Sequence, residues 1–451
     1  MHIHILGICG TFMGGLARLA LDSGIKVTGT DANAYPPMST QLESLGIEIT
    51  KCYETCFDNQ DPDLVVIGNT LSRANPAIEY VLDNDVPYMS GPAWIAQNFL
   101  QKNKVIAVAG THGKTTTASM IAWILEYSNL EPSFLIGGIP LNFNVSARQS
   151  TGQVFVIEAD EYDTAFFDKR SKFIHYKPDV LVLNNIEYDH ADIFDDINDV
   201  KVQFHHLIKT IPKKSVIVFN QDDENIRSVL KMGHWSQLDS FTSKKEGKWS
   251  ISISSKNFCN ITKNSKLVSK FQLKQFGEHN ATNALAAIVA AYKLGIPVEQ
   301  SSNALEHFLG TSRRMQLKYD KEGLKIYDDF AHHPTAIKAS IQALREQWPE
   351  KRLFVITELR SNSMRMGAHK DNLAEALKVA DQIFLKNNIS EWDVQECLAS
   401  ISKKVSFHKD SQSIVNELRT IMQGDEVLLV MSNGPFDDIC SLIIDILPNN
   451  E

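Results

Sequence analysis

Long apolar segments, clustered cysteines and an excess of positive charge are all missing from this 451-residue chain. No apolar run approaches the roughly 18 residues that a membrane-spanning helix needs, so we expect no membrane partner. The opening residues, MHIHILGICG, have no basic segment before the apolar ones and predict a buried strand rather than a signal peptide. The net charge of −9 and the pI near 5.9 argue against broad binding to nucleic acid or anionic membranes.

Cysteine usage indicates a cytoplasmic protein with free thiols. The six cysteines are scattered along the chain, and only Cys52 and Cys56 lie close together in sequence. No second Cys/His pair follows them at the spacing of a zinc site, so we expect no structural zinc. Intracellular proteins keep such thiols reduced. The sequence leaves the oligomeric state open.

Strand and helix patterns predict an α/β protein of three domains. Residues 1–103 alternate apolar strands with helical segments, which is typical of a parallel sheet covered by helices. A second series of apolar strands occupies residues 104–316, and alternation at period two between 240 and 275 predicts a small antiparallel sheet in the same domain. A third series of strands follows in residues 317–451.

A phosphate-binding loop is predicted at residues 110–117, GTHGKTTT, between an apolar strand and a helical segment. The usual pattern G-x-x-x-x-G-K-[ST] lacks its first glycine here, because Val108 holds that position. Strand, glycine turn and helix start nevertheless form the context in which backbone N–H groups bind phosphate. We therefore predict ATP or GTP binding, with Lys114 at the terminal phosphates and the Thr115 hydroxyl on Mg²⁺.

Acidic side chains follow the next two apolar strands, VFVIEADEYD and VLVLNNIEYDH. Mg²⁺ prefers oxygen ligands and tolerates an imidazole, so these groups are candidates for holding it. Glu158 lies closest to its strand and is the first choice. The candidates are Glu158, Asp160, Glu161, Glu187, Asp189 and His190.

Three later clusters add polar groups at helix starts and at the second domain boundary. Asn280 and Asn283 begin a helix with His279, where amides can pair with a purine edge. Guanidiniums of Arg313 and Arg314 could neutralise charge on a transferring phosphoryl group. The segment DDFAHHP carries Asp328, Asp329, His332 and His333, and helix capping is the alternative interpretation of its histidines.

The N-terminal loop GICGTFMG places glycines at 7, 10 and 14. Asp31, at the end of the second strand, is placed like the ribose-binding acid of NAD enzymes. The spacing differs from the dinucleotide pattern G-x-G-x-x-G, which disfavours an NAD-dependent dehydrogenase. A nucleotide-binding switch or motor protein is a further alternative from the phosphate loop alone.

Six motifs, in this order, resemble those of the Mur ligases, the ATP-dependent amide-forming enzymes of peptidoglycan precursor synthesis. They are GTHGKTTT, EADEYD, NNIEYDH, GEHNATNALAA, GTSRRM and DDFAHHPTA. Further stretches, including VFVIEADEYDTAFFDKRSKFIHY and NNIEYDHADIFDD, are similar to those of members that act in cell-wall recycling. These members join UDP-N-acetylmuramate to the tripeptide L-alanyl-γ-D-glutamyl-meso-diaminopimelate. Members that add L-alanine to the same nucleotide are the alternative.

The resemblance implies an N-terminal Rossmann-like domain for the UDP-sugar, a central P-loop ATPase domain and a C-terminal Rossmann-like domain for the incoming amine. It also implies a reaction through an acyl phosphate, because a carboxylate is a poor electrophile until it is activated. ATP is the co-substrate and Mg²⁺ the cofactor. The products are an amide, ADP and phosphate.

Matching positions imply the site residues. Lys114, Arg314 and His332 are the catalytic candidates, and His332 is a candidate base. The ATP contacts are Gly110, Thr111, His112, Gly113, Lys114, Thr115, Thr116, His279, Asn280, Asn283, Arg314 and Asp329. The metal ligands are Thr115, Glu158 and, for a second or shared Mg²⁺, His190. The UDP-sugar contacts are Gly7, Gly10, Gly14 and Asp31, and the peptide contacts are Arg360, Ser361 and Asn362.

Two departures from the family pattern affect these expectations. Some related ligases carry a carbamylated lysine at the second metal, and the corresponding position here is Phe204 or His205. The loop SNGPFDD, residues 432–438, replaces a glycine-rich SNGGFGG, so Pro435 and the acids after it could change peptide specificity. Arg360 can grip carboxylates with two hydrogen bonds.

Overall fold

Three main sheets follow one another along the chain. The computed structural model of the protein describes residues 1–34, 38–58, 60–244, 246–254, 257–387 and 391–447. Each predicted domain contains one of the three sheets, so the predicted α/β class is confirmed. The boundaries at 103/104 and 316/317 themselves stay a prediction.

The N-terminal sheet is wholly parallel, with strand order β3-β2-β1-β4-β5. Its strands are β1 (His2–Leu6), β2 (Lys26–Thr30), β3 (Glu48–Thr50), β4 (Leu64–Ile67) and β5 (Tyr88–Ser90). Its helices are α1 (Thr11–Asp22), α2 (Met38–Ser44), α3 (Pro76–Asp83) and α4 (Gly91–Asn98). The order reverses at β1, so the loop after β1 lies at the topological switch point, where ligands of such sheets bind.

The central sheet has ten strands. Its strands, with a separate hairpin of β10 and β11, are β6 (Lys104–Ala109), β7 (Ser133–Leu135), β8 (Ala147–Arg148), β9 (Val154–Ala159), β10 (Asp163–Ala165), β11 (Asp168–Ser171), β12 (Val180–Leu183), β13 (Val216–Asn220), β14 (Gln237–Thr242), β15 (Trp249–Ser254), β16 (Phe258–Lys263) and β17 (Lys266–Gln272). Its helices are α5 (Lys114–Tyr127), α6 (Ile197–Thr210), α7 (Glu224–Lys231), α8 (Glu278–Lys293) and α9 (Val298–Glu306). The predicted antiparallel part is confirmed, because β15, β16 and β17 extend the parallel strands as an antiparallel ribbon.

The C-terminal sheet has the order β18-β19-β23-β20-β21-β22, and its edge strand β18 is antiparallel to β19. Its strands are β18 (Gln316–Lys321), β19 (Leu324–Asp329), β20 (Leu353–Glu358), β21 (Gln382–Lys386), β22 (Val405–His408) and β23 (Val427–Met431). Its helices are α10 (Pro334–Gln347), α11 (Asn362–Arg365), α12 (Lys370–Leu377), α13 (Val394–Cys397), α14 (Ser411–Ile421) and α15 (Ile439–Asp445). No helix in the described ranges is long and apolar enough to cross a membrane.

Helices cover both faces of the central sheet, and this explains why its strand β6 is apolar at successive positions. In β6, Ile106 and Val108 enter one core cluster, while Ala107 enters the cluster on the opposite face. Alternate side chains of a strand point to opposite faces, so a strand buried on both sides must be apolar throughout. Strand β6 lies between β9 and β12, and all three run parallel. The loops after these three strands therefore meet at one edge of the sheet.

Helix starts divide into two kinds. The helices α6, α7 and α14 begin at Asp196, Asp223 and Asp410, whose carboxylates accept hydrogen bonds from the first turn. The helices α1 and α5 begin at Gly10 and Gly113 and have no side-chain cap. Their first N–H groups remain available as donors to an anion.

Candidate active site

The phosphate loop has the conformation that its two glycines permit. Gly110 and Gly113 have φ values of 138° and 78°, in the region that side chains disfavour. A Cβ atom on Gly113 would lie 2.5 Å from Asn283 Oδ1, and one on Gly110 would lie 3.0 Å from the Asn185 carbonyl oxygen. Both close approaches require glycine. The missing glycine at Val108 has no such role, since Val108 is a buried strand residue.

Asn185 shapes the first half of this loop. Its carbonyl oxygen accepts a hydrogen bond from Thr111 N at 3.1 Å, and its Oδ1 accepts one from His112 N at 2.7 Å. Its Nδ2 donates to the His112 carbonyl at 3.1 Å. The N–H groups of residues 113–116 have no hydrogen-bond partner among the residues that the structure describes. Backbone donors for a phosphate are therefore concentrated at the start of α5.

Lys114 is buried against carboxylates from the loop after β9. Its Nζ lies 3.1 Å from Glu161 Oε2 and 3.4 Å from Asp160 Oδ1. Burial lowers the pKa of Lys114, but the charges of Glu161, Asp160 and Glu158 outweigh it and raise that pKa above its ordinary value. The lysine is thus a fixed cation at this edge of the sheet.

Glu158 and Arg314 meet at Thr115. Thr115 Oγ1 donates to Glu158 Oε1 at 3.0 Å, and Gly137 N donates to Glu158 Oε2 at 2.8 Å. Arg314 Nη2 donates to Thr115 Oγ1 at 3.2 Å, and its guanidinium lies 4.5 Å from the centre of the Phe330 ring. A group beyond the central sheet therefore reaches the phosphate loop.

The predicted metal ligands suit Mg²⁺ in their charge and chemistry. Burial, followed by the charge of Asp160, raises the pKa of Glu158, because both disfavour the ionised carboxylate. Oε1 of Glu161 is buried and is paired with His190. His190, the predicted second-metal ligand, has its Nε2 at 3.3 Å from that oxygen. Thr115 with Glu158, and His190 beside Glu161, therefore fit one or two divalent cations in an acidic setting.

A hydrogen-bonded cluster joins the central and C-terminal sheets through Glu187. Its Oε2 accepts a 2.6 Å hydrogen bond from Thr335 Oγ1 and lies 3.3 Å from His112 Nε2. Burial raises the pKa of Glu187, but His112, Thr335 and His333 outweigh burial and lower it to about 2.

His333 takes part in this cluster as a neutral ring. Its Nδ1 accepts from Thr335 N at 3.2 Å, and its Nε2 lies 3.3 Å from the Tyr188 carbonyl. Burial and the charge of His112 lower the pKa of His333 to about 3, so it is neutral at ordinary pH. Glu187, His112 and His333 are close enough to share a metal ion. Because both His333 nitrogens are occupied, the arrangement indicates a hydrogen-bonded seam instead.

A second contact joins the same two sheets at Asp189. Ser363 Oγ donates to Asp189 Oδ1 at 2.8 Å and accepts from Ala191 N at 3.2 Å. Asn362 Nδ2 donates to Asp192 Oδ2 at 2.8 Å. Asn362, a predicted peptide contact, thus lies at the seam between the two sheets.

His332 differs from its neighbour in having a free ring nitrogen. Its Nδ1 lies 3.0 Å from the Phe330 carbonyl, so Nδ1 carries the proton and donates it. Its Nε2 has no hydrogen bond within the described part of the chain. Burial lowers the pKa of His332 below its ordinary value. The ring is therefore neutral near pH 7 and able to accept a proton.

The remaining residues that are predicted to contact ATP lie in the same region. Asp329 accepts hydrogen bonds from Phe330 N at 2.8 Å and from Ser340 Oγ. Asn280 Nδ2 donates to the Phe276 carbonyl at 2.9 Å. Asn283 contacts Gly113, as described above. Thr116 lies buried in the first turn of α5, and His279 lies beside Gly277 at the start of α8.

Of the residues predicted to contact the UDP-sugar, three lie in or beside one loop and the fourth lies inside a helix. Asp31 Oδ2 accepts from Cys9 N at 2.9 Å, and Gly7, with φ 78°, donates to the Thr30 carbonyl at 2.7 Å. Gly10 starts α1. Gly14 instead lies inside α1, where an added Cβ would be 2.4 Å from Met38 Sδ. The structure therefore brings Gly7, Gly10 and Asp31 together, while Gly14 lies inside α1 against the Met38 side chain.

The predicted peptide contacts have different surroundings. Arg360 is exposed and crosses Gly434, where an added Cβ would be 2.4 Å from Arg360 Nε. Ser361 Oγ accepts from Met364 N at 3.3 Å and caps α11. Asp437, in the atypical loop, pairs with Lys386 Nζ at 2.5 Å, which neutralises its charge. Among the three predicted peptide contacts, Arg360 alone is a cation, and its guanidinium has no hydrogen bond within the described residues.

Sequence reasoning left several site residues unassigned. Asn185, which shapes the phosphate loop, has no role predicted from the sequence. Asp160 and Glu161 are predicted as candidate Mg²⁺ ligands, and in the structure both carboxylates lie against Lys114. Ser363 and Thr335 could not be found from the sequence, because their partners lie more than 140 residues away. Nothing local distinguishes such hydroxyls from ordinary helix-start residues.

Comparison with known sequences gives the same family along the chain. The Mur ligase family, catalytic domain, matches residues 2–103; the Mur ligase middle domain matches 108–291; and the Mur ligase, glutamate ligase domain, matches 313–434. These matches cover each of the three main sheets.

Two relatives and one solved structure illustrate the similarity. The UDP-N-acetylmuramate–L-alanyl-γ-D-glutamyl-meso-2,6-diaminoheptandioate ligase of Escherichia coli K12 is 45% identical, covering 99% of this chain and 98% of its own. The UDP-N-acetylmuramate–L-alanine ligase of Acetivibrio thermocellus is 31% identical, covering 96% and 93%. A crystal structure of a murein peptide ligase from Psychrobacter arcticus superposes with a TM-score of 0.77 at 39% identity, covering 100% and 99%.

Proposed function

The chain belongs to the Mur ligase family, and from this premise we propose that it joins UDP-N-acetylmuramate to the tripeptide L-alanyl-γ-D-glutamyl-meso-diaminopimelate at the expense of ATP. The identity to the tripeptide-adding relative, 45%, exceeds the 31% to the L-alanine-adding one. Both similarities cover nearly the whole chain, so the difference is not due to one domain. The reaction would be a step of cell-wall recycling.

The convergence at Thr115 is the observation that carries this proposal. Lys114 and Thr115 begin an uncapped helix, Glu158 ends the neighbouring strand, and Arg314 reaches across from the second predicted boundary. A nucleotide's terminal phosphate at the free N–H groups of residues 113–116 would lie beside both cations. This arrangement suits transfer of a phosphoryl group, because it stabilises charge where the transition state develops it.

The chemistry then proceeds in two steps. The lactyl carboxylate of the sugar nucleotide attacks the γ-phosphorus of ATP, the bond to the β,γ-bridging oxygen breaks, and ADP leaves. The amino group of the tripeptide's L-alanine attacks the acyl phosphate, loses a proton and expels phosphate, so that an amide forms. Each step has a good leaving group, which direct amide formation from a carboxylate lacks.

Residue roles follow from position and charge. Lys114 and the N–H groups of residues 113–116 would bind the β- and γ-phosphates, and Arg314 would neutralise the transferring group. Thr115, Glu158 and His190 would hold Mg²⁺, which lowers the repulsion between phosphate and carboxylate when it is bound. Asn280, Arg314 and Asp329 would position the adenosine and the γ-phosphate, and His279 and Asn283 would support them.

His332 would accept the proton that the amine loses. Its Nε2 is free, its Nδ1 is held by the Phe330 carbonyl, and its lowered pKa keeps it neutral. His333 cannot take this role, because both of its nitrogens are occupied in the seam. A raised KM with unchanged kcat in His332→Ala would contradict the assignment.

The remaining roles concern the binding of the two substrates that are joined, the sugar nucleotide and the peptide. The loop of Gly7 and Gly10 with Asp31 would receive the UDP portion, at the switch point of the N-terminal sheet. Arg360 would bind a carboxylate of the peptide. Ser361 and Asn362 would support Arg360 through the turn that they form at α11.

A comparison of two acceptors tests the proposal. The purified protein is incubated with ATP, Mg²⁺ and UDP-N-acetylmuramate, together with either the tripeptide or L-alanine, and ADP release is measured. We expect ADP release with the tripeptide and little with L-alanine. Turnover only with L-alanine would instead support the L-alanine-adding function. Nucleotide hydrolysis that ignores the sugar nucleotide would contradict both.

A further inference from the structure

The β10–β11 hairpin ties the central sheet to the N-terminal sheet. Phe166, at its tip, packs against an apolar cluster of the N-terminal sheet that includes Leu6 and Phe57. Phe167 contacts Tyr88 edge to face, with ring centres 5.1 Å apart. The hairpin therefore positions whatever follows it against the N-terminal sheet.

Lys172 is the first residue after this hairpin. Its backbone N–H donates to the Tyr162 carbonyl at 2.8 Å, which holds the residue at the base of the hairpin. Its side chain crosses to the N-terminal sheet, where Nζ lies 5.4 Å from the centre of the Phe12 ring and 5.5 Å from that of Tyr162. Only 8% of the residue is exposed.

The ammonium of Lys172 has no anionic partner among the residues that the structure describes. No carboxylate oxygen lies within 4.0 Å of Nζ, and Nζ donates no hydrogen bond within those residues. The two aromatic faces attract a cation but accept none of its N–H groups as an oxygen would. A lysine that is only 8% exposed normally has an anionic partner, so this arrangement requires an explanation.

A second set of unsatisfied donors lies beside this lysine. Phe12 is the second residue of α1, a helix of twelve residues without a side-chain cap. The N–H groups of residues 11–13 have no hydrogen-bond acceptor within the described part of the chain. The positive end of a helix dipole and the ammonium of a largely buried lysine thus approach the same space.

We propose that Lys172 binds an anionic group of the sugar nucleotide, so that the central domain completes a site begun by the N-terminal start of α1. This inference rests on the proposed function, and it adds a residue that positions the donor substrate. The ligand chemistry is an oxyanion, either a diphosphate oxygen of the UDP portion or the lactyl carboxylate.

The location of Lys172 is consistent with both sources. On one side lies Phe12, directly after the Gly7 and Gly10 loop. On the other side lies Tyr162, whose ring is 4.1 Å from that of His190 in the acidic cluster. A donor bound between the two sheets would run from the loop toward that cluster, and Lys172 stands along this line.

Calorimetric titration with UDP, UDP-N-acetylglucosamine and UDP-N-acetylmuramate tests the proposal on the wild type and three variants. Lys172→Met removes the charge but keeps an unbranched apolar side chain, and Lys172→Arg keeps the charge. Lys169→Met is the matched control, since Lys169 is an exposed hairpin lysine that pairs with Asp163. We expect Lys172→Met to bind UDP-N-acetylmuramate about tenfold more weakly or worse, whereas Lys172→Arg retains most of the affinity and Lys169→Met all of it.

A comparison of the three ligands distinguishes a diphosphate oxygen from the lactyl carboxylate as the group that Lys172 binds. Weaker binding of all three by Lys172→Met supports the diphosphate, and weaker binding of UDP-N-acetylmuramate alone supports the carboxylate. Equal binding by wild type and Lys172→Met would overturn the inference while leaving the proposed function intact. No binding of any ligand by the wild type would contradict the proposed donor itself and this inference with it.

Thermal unfolding distinguishes a ligand role from a structural one. Lys172 Nζ has no hydrogen bond or ion pair within the described residues, so an apolar replacement in this largely buried position should leave stability unchanged or raise it. We therefore expect Lys172→Met to unfold at or above the wild-type temperature in the absence of ligand. A clear drop in its unfolding temperature, together with unchanged binding by the folded fraction, would assign Lys172 to structure alone.

Discussion

At the scale of single residues, Lys114 has the most direct consequence for activity. Lys114→Ala removes the cation that faces Glu161, Asp160 and the proposed phosphate position. We expect kcat/KM for the ligation to fall about 100-fold or more, because transition-state charge loses a fixed partner. Steady-state ADP release measures the loss. Lys169→Ala, an exposed lysine outside the site, serves as the control and should keep full activity.

We expect the protonation of His332 to determine how kcat depends on pH. Burial lowers its pKa from 6.5, so the neutral, proton-accepting ring persists below that pH. We expect kcat to fall only as the pH falls through this lowered value, which places the acid limb below pH 6.5. His332→Gln should lower kcat about 100-fold and abolish that limb.

A matched histidine controls for the effect of the substitution itself. His307 is exposed, and its Nδ1 donates a hydrogen bond to the Asn303 carbonyl at the end of α9, so His307→Gln should leave the pH profile of kcat unchanged. An acid limb that persists in His332→Gln would assign the titration to another group.

At the scale of an element, the turn between β6 and α5 depends on Gly113. Gly113→Ala places a Cβ 2.5 Å from Asn283 Oδ1 at a φ of 78°. The strain of this conformation costs about 1–2 kcal/mol for a residue with a side chain, and the clash displaces either the loop or Asn283. We expect nucleotide affinity, measured by titration, to fall about tenfold or more.

Gly24→Ala isolates the conformational part of that effect. Gly24 has a φ of 76° and no atom within 4 Å of an added Cβ. It should show a lower unfolding temperature with unchanged nucleotide affinity. Equal affinity losses in the two variants would show that the contact with Asn283 is unimportant.

At the scale of the whole molecule, the seam between the central and C-terminal sheets determines how the site is assembled. Ser363→Ala leaves Asp189 Oδ1 and Ala191 N without the hydroxyl that joins them. Loss of such buried hydrogen bonds costs about 1–3 kcal/mol. We expect kcat to fall about tenfold while ATP affinity changes little, because the phosphate loop lies wholly in the central sheet. Single-turnover and binding measurements separate the two.

Ser44 provides the comparison for this seam. Its hydroxyl donates only to the Gln41 carbonyl, within α2. Ser44→Ala should therefore preserve kcat. An equal loss of ATP affinity and kcat in Ser363→Ala would contradict the role of the seam in assembling the site.

The local pattern of the chain determined the elements and the family. Apolar runs followed by glycine or acid predicted β6, β9 and β12 and the edge at which their loops meet, because strand burial and turn conformation depend on neighbouring residues. The motif order predicted the Mur ligase family, which is confirmed. The roles of the individual site residues stay predictions.

Tertiary structure alone decided which side chains share a space. Arg314 on Thr115, Ser363 on Asp189 and Lys172 on Phe12 join residues that are 160 to 199 positions apart. Their positions depend on how three sheets pack, and sequence periodicity carries no information about that packing. For the same reason, the sequence predicted Gly14 as a UDP-sugar contact but gave no sign that it packs against Met38 inside α1.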